Sequence, residues 1–154
     1  MKSLVVYYSR TGHTKKVANS IAKLLKSDVE EIIDLRNRSG FFGYILAGFH
    51  ALKKRQTKIK PTKKDVSKYG IVIIGTPIWA GDMAPAVRTY LNQNNGTIKK
   101  AAFFCTKGGG ESKKAFDDFQ KLCGKPAAVL DLKEKGVIAG KCDSQIKDFV
   151  KKIK

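Results

Sequence analysis

Two stretches of the chain, GIVIIG at 70–75 and AAFFCT at 101–106, run apolar without alternation. A strand with one wet face alternates apolar and polar residues. A strand covered on both faces does not, and such strands are found chiefly in parallel sheets with helices packed above and below. AAVLDL at 127–132 reads the same way, and LVVYY (4–8) and VEEIIDL (29–35) supply two further strands. The segments between them carry helical stripes. Val17, Ile21, Leu24 and Leu25 follow a 3.6-residue period after Thr14, and Pro85 sits at a first helical turn ahead of Val87, Tyr90 and Leu91. Ala115, Phe116, Phe119 and Leu122 form a third stripe, closed by Gly124 and Pro126, and Ile146, Phe149, Val150 and Ile153 a fourth. Strands alternating with helices in this way predict βαβ units with right-handed crossovers.

Residues 36–68 break that rhythm, because they hold far more than a crossover needs. Phe41, Phe42, Ile45, Leu46, Phe49 and Leu52 have helical spacing behind Ser39, a suitable N-cap. Lys53 to Lys68 is the densest basic run of the chain. Such a helix packs on its own sheet or beside a ligand; a basic amphipathic helix also suits a membrane surface.

Composition narrows the chemistry. The 154 residues suit one domain with a real core. No window approaches the roughly 18 apolar residues of a membrane span. The short apolar run of MKSLVVYY reads as a first strand rather than a signal peptide, which points to the cytoplasm. Cys105, Cys123 and Cys142 fit neither a disulfide framework nor a zinc site, and Cys105 reads as a small buried hydrophobe. With only His13 and His50, and no metalloprotease, hydrolase or P-loop motif, side-chain acid–base and metal chemistry have little to work with. An enzyme built on this chain would leave the chemistry to a cofactor. The net charge of +18 favours polyanions or an acidic partner, although the lysines are spread over nearly every polar helix face, as solvating residues are.

In an open parallel sheet, ligands bind beyond the carboxyl ends of the strands, where the strand order reverses. Three segments leave strand ends. SRTGHT (9–14) offers hydroxyls, a turn-forming Gly12 and a following helix N-terminus, which makes either a phosphate-sized anion cradle or a capped helix start. TPIWAGDMAP (76–85) holds the single tryptophan of the chain, placed either to stack on a planar ring or to cover the sheet edge. TKGGGES (106–112) spends three consecutive glycines, for a close backbone approach or for a flexible surface loop.

In this order and spacing the three segments resemble the FMN-binding loops of flavodoxins and flavodoxin-like oxidoreductases, and the resemblance covers essentially the whole chain. It implies one FMN-binding domain over 1–154, with 36–68 as an extended crossover. The implied fold is a doubly wound five-stranded parallel sheet of order 2-1-3-4-5 with helices on both faces. Carried over residue by residue, Ser9, Arg10, Thr11, Gly12, His13 and Thr14 match the phosphate loop. Thr76, Pro77, Ile78, Trp79 and Ala80 match the loop flanking the flavin ring, with Trp79 stacking. Thr106, Lys107, Gly108 and Gly109 match the loop at the pyrimidine end. None of these is expected to be catalytic.

The chain departs from the family in two ways. Flavodoxins are typically acidic, and many place an aromatic in the third loop, where this chain has only TKGGGES. An uncovered outer ring face would admit a hydride donor. Positive charge near the ring, Lys107 foremost, would favour the anionic reduced flavin. The resemblance implies a one-electron shuttle between redox enzymes; the surface charge points to a partner bearing an acidic docking face, with no specific nucleic acid, and a monomeric or weakly dimeric state is expected. The alternatives are a two-electron NAD(P)H- or quinone-type reductase or oxidase on the same fold, and a basic binding module that merely keeps it, with Lys53, Lys54, Arg55, Lys58, Lys60, Lys63 and Lys64 as its patch.

Overall fold

The structure, a computed structural model, describes residues 1–36, 43, 45–46 and 56–154. Its strands are β1 (Ser3–Tyr7), β2 (Asp28–Glu31), β3 (Ile71–Trp79), β4 (Asp82–Met83), β5 (Ala101–Lys107) and β6 (Val129–Lys133). Its helices are α1 (His13–Leu25), α2 (Pro85–Gln93), α3 (Lys113–Cys123), α4 (Glu134–Ile138) and α5 (Asp143–Ile153), with a 3-10 turn at Val66–Lys68. The main sheet runs β2-β1-β3-β5-β6, all parallel, and β4 pairs antiparallel with β3 off this path. This is the expected order 2-1-3-4-5, with the fourth and fifth parallel strands numbered β5 and β6.

The alternation of side chains along a strand sorts the core into two layers. Leu4, Val6, Val72, Ile74 and Phe103 face one way, against Val87, Tyr90 and Leu91 of α2 and Phe119 of α3. Val5, Tyr7, Ile71, Ile73 and Phe104 face the other, against Val17 and Ile21 of α1 and Ile146, Phe149 and Val150 of α5. Both faces of β1, β3 and β5 are therefore covered, which explains their unbroken apolar runs. Phe104 also fixes Gly75: a Cβ there would lie 2.0 Å from the ring's Cζ. β6 differs from expectation. It is an edge strand whose Leu130 and Leu132 are buried while Val129, Asp131 and Lys133 are exposed, since no helix among the described residues covers its outer side.

The segment 56–69 lies along β2, the other edge. Asp34 and Ile59 form an antiparallel bridge, and the Glu30 carboxylate accepts hydrogen bonds from the backbone N–H groups of Lys63 (3.0 Å) and Lys64 (2.9 Å). Tyr69 donates to Asp28 at 2.7 Å. These contacts hold an otherwise basic stretch on the sheet edge, with Lys58, Lys60, Lys63 and Lys64 exposed. The amphipathic helix expected over 41–52 falls mostly outside the described residues; Gly43, Ile45 and Leu46 are helical. Ser39 and three of the seven basic patch residues, Lys53, Lys54 and Arg55, also lie outside them. No helix among the described residues is long and apolar enough to cross a membrane.

Candidate functional site

β1 lies between β2 and β3, so the chain winds to one side from β1 and to the other through β3, β5 and β6. A crevice opens at the carboxyl ends of the strands at that reversal. There the structure has a cavity of about 650 Å³, within the range of about 300–1,000 Å³ that small-molecule and cofactor sites occupy. Its wall comes from five places: Arg10, Thr11 and His13 after β1; Ile45 of the crossover between β2 and β3; Pro77, Ile78, Trp79, Ala80 and Gly81 at the β3–β4 turn; Thr106 and Gly108–Gly110 at the end of β5 and after it; and Glu134 after β6.

The first loop turns at Gly12, whose φ of 97° suits a residue without a Cβ. Its N–H donates to Ser9 Oγ at 3.1 Å. α1 then starts with no capping side chain and no acidic residue in its first turn. Amides and the positive end of a dipole in such an uncapped first turn are of the kind that can hold an anion. Thr14 does not line the cavity. It is buried, and its hydroxyl shares a 2.8 Å hydrogen bond with Thr106.

The second segment is not the loop its Gly and Pro content suggested. β3 continues through Trp79, and a two-residue turn, Ala80–Gly81, returns the chain into β4, with Trp79 opposite Asp82 and Ile78 opposite Met83. Both turn residues have positive φ, 51° and 78°, as a tight hairpin requires. Trp79 lines the cavity with only 8% of its surface exposed, held edge-on to Tyr8 with ring centroids 5.6 Å apart. It packs into the sheet end and presents its remaining surface to the cavity. Thr76 serves the hairpin rather than the cavity wall, its buried Oγ1 accepting from the Ala84 N–H at 3.0 Å.

Beneath the hairpin, Arg88 of α2 reaches two buried carboxylates. Its Nη2 donates to Asp82 Oδ1 at 2.9 Å and to Asp118 Oδ2 of α3 at 3.0 Å. One guanidinium thereby ties the turn to both helices on that face.

In the third loop, Gly108–Gly110 line the cavity with bare backbone, and a Cβ on Gly109 or Gly110 would meet nothing within 4 Å. Lys107 does not line it. Its ammonium pairs with Asp131 of β6 at 2.9 Å, so the charge expected to act on a ring is already compensated. Cys105 is fully buried, and burial together with the Asp131 carboxylate pushes its thiol well up, away from reactive thiolate.

Of the residues singled out from sequence, Arg10, Thr11, His13, Pro77, Ile78, Trp79, Ala80, Thr106, Gly108 and Gly109 meet at the cavity. Ser9, Gly12, Thr14, Thr76 and Lys107 shape the loops behind it. Gly81 and Gly110 fall within segments already recognised. Glu134 was missed; it opens α4 at the carboxyl end of β6, where the strand-end rule extended to the last strand would have found it.

No family model matches the chain. Solved structures do. A flavoprotein in complex with FMN from Lactobacillus acidophilus NCFM is 23% identical, with 96% of this chain and 97% of that one covered and a TM-score of 0.74. The two-electron reduced flavodoxin of Megasphaera elsdenii is 18% identical over 97% and 98% of the two chains, with a TM-score of 0.58. Rubredoxin oxygen:oxidoreductase from Desulfovibrio gigas is 18% identical and matches 99% of this chain with 37% of its own, at a TM-score of 0.56.

Proposed function

The chain has the flavodoxin-like fold, and from that premise we propose that it binds FMN in the cavity and carries electrons one at a time between redox enzymes. The observation that supports this most is the meeting of three segments, from the carboxyl ends of β1, β3 and β5, around one cavity at the sheet's reversal point. The residues present suit the group. An uncapped helix start beside Arg10, Thr11 and His13 matches a phosphate in charge and donor supply. A glycine wall and a largely buried tryptophan suit a flat heteroaromatic ring.

FMN, when bound, supplies a ring that accepts electrons singly or in pairs. The protein's part is to hold and surround it. The amides at the start of α1 and the Arg10 side chain orient the phosphate. Ile78 and Trp79 keep water from one side of the ring, and the Ala80–Gly81 turn offers backbone groups to its edge. The exposed lysines on most helices steer encounter with a partner whose docking face is acidic.

One observation favours a second reading. The third loop, TKGGGES, carries no aromatic to cover the outer ring face, which suits the approach of a hydride donor and a two-electron reductase. Stepwise anaerobic reduction of the FMN-loaded protein, followed by visible spectra, separates the two. A long-wavelength band midway through the titration is expected for the carrier. Direct passage from yellow to colourless would transfer the assignment to paired transfer. Failure of the purified protein to retain FMN, with Trp79 emission unquenched on adding it, would remove both.

A further inference from the structure

Asp131 lies in β6 opposite Cys105 of β5, and three donors converge on its carboxylate. Lys107 Nζ donates to Oδ2 at 2.9 Å, the buried Ser112 hydroxyl donates to the same oxygen, and Cys105 Sγ donates to Oδ1 at 3.4 Å. Lys107 and Ser112 bracket the glycine run. Lys107 ends β5 and Ser112 precedes the first residue of α3, so a single carboxylate on a neighbouring strand grips the segment on both sides of Gly108–Gly110. The run itself has no side chains to pack. Three consecutive glycines carry the largest backbone entropy of any tripeptide, and nothing within 4 Å would meet a Cβ at Gly109 or Gly110. What sets the path of such a loop is where its ends are held.

We propose that Asp131 is a positioning residue for the cavity: by clamping Lys107 and Ser112 together it fixes the course of the glycine backbone along the cavity wall, and with it the affinity for the flavin. The flavin half of this rests on the FMN reading above. Lys107 is accordingly part of the clamp and not a charge aimed at the ring. Its side chain is 12% exposed and that of Asp131 31%, so the pair is shielded more than an ordinary surface ion pair. Burial works to raise the Asp131 pKa, but the hydrogen bonds from Ser112, Lys107 and Cys105 and the Lys107 charge more than offset it, and the net shift is downward. At neutral pH the group is an acceptor on both oxygens, as three donors require.

Asp131→Asn tests this with little change of volume. A carboxamide keeps one acceptor oxygen and no charge: with that oxygen toward Lys107 and Ser112 its NH2 faces Cys105 Sγ, and the ion pair to the ammonium falls to a neutral hydrogen bond. It cannot accept from all three. FMN titrations of wild type, Asp131→Asn, Ser112→Ala and the double variant are run beside amide hydrogen exchange of the apo-proteins. Asp131→Asn is expected to weaken FMN binding about tenfold, equivalent to about 1.4 kcal/mol, with the double variant no weaker than Asp131→Asn alone. Exchange across 107–112 is expected to quicken about tenfold while β1 and β3 stay unchanged, which a general loss of stability would not produce. Wild-type FMN affinity in Asp131→Asn overturns the control of the flavin, and unchanged exchange at 107–112 overturns the clamp. If wild type binds no FMN, the flavin reading fails, and the exchange data on their own then uphold or overturn the clamp.

Discussion

Thr14 and Thr106, 92 residues apart in sequence, share a buried hydrogen bond of 2.8 Å. It joins the first turn of α1 to the end of β5, so the loop after β1 and the loop after β5 are registered to each other by one pair of hydroxyls. Both residues are essentially without exposure, at 1% and 0%. Thr106→Val keeps the volume but strands the Thr14 hydroxyl in a dry site, at a cost of about 1–3 kcal/mol. Replacing both by valine removes donor and acceptor together and should recover most of that loss. Urea denaturation of the two single variants and the double gives the coupling directly. Additive losses would mean that the pair is not acting as one.

Arg88 reaches both Asp82 (2.9 Å) and Asp118 (3.0 Å), and Asp82 is fully buried with its Oδ2 lacking a hydrogen-bond partner. Removing one side of a buried ion pair leaves uncompensated charge and costs about 3–5 kcal/mol. Arg88→Met is expected to lose that much in chemical denaturation, a large part of the roughly 5–15 kcal/mol a domain possesses. Asp118→Asn should be much milder, because Arg88 keeps its ion pair with Asp82 and the repulsion between the two carboxylates is removed. If the two variants are equally damaging, the guanidinium is not the centre of this cluster.

The Asp131 carboxylate has a folded-state pKa below the ordinary aspartate value of 3.8. A depressed folded value means that its contribution is complete above the unfolded pKa and is lost as the pH falls through the folded one. The stability difference between wild type and Asp131→Asn should therefore be constant from pH 7 down to about pH 5 and shrink only below the ordinary carboxylate range. Thermal unfolding across that interval measures it. A gap that closes near pH 6 would assign the effect to some other group.

The parallel strands were legible because burial on both faces writes a continuous apolar run, and GIVIIG and AAFFCT carry it at full strength. β6 misled on the same principle, since AAVLDL looks continuously apolar while Val129 is exposed and only Leu130 and Leu132 of the strand point inward. Gly12, Trp79 and the glycine triplet marked the cavity because their residue types cost something that only a turn, a ring or a close approach repays. The partners of Ser9, Thr14, Thr76 and Lys107 were not legible. Each is settled by where its loop folds or by what a neighbouring strand carries, and Asp131 lies 24 residues beyond Lys107. α4 escaped because Glu134–Ile138 is barely more than one turn and contains Gly136.

The β3–β4 hairpin was hidden for a sharper reason, which is itself testable. Tight two-residue hairpins are signalled by Asn-Gly or Asp-Gly, because both central residues need positive φ; this chain uses Ala80–Gly81, with Ala80 at φ 51°. For an L-residue with a Cβ that conformation costs roughly 1–2 kcal/mol. Ala80 is exposed, so no packing compensates for it. Asparagine tolerates the left-handed region better than alanine, so Ala80→Asn should raise the thermal midpoint by an amount worth about 0.5–1 kcal/mol. Ala80→Val, β-branched in the same conformation, should lower it by more than that. The ranking Asn above Ala above Val, read from unfolding of the three apo-proteins, follows from the positive φ alone. An Ala80→Val variant as stable as wild type would show that the turn at the cavity edge does not have this shape.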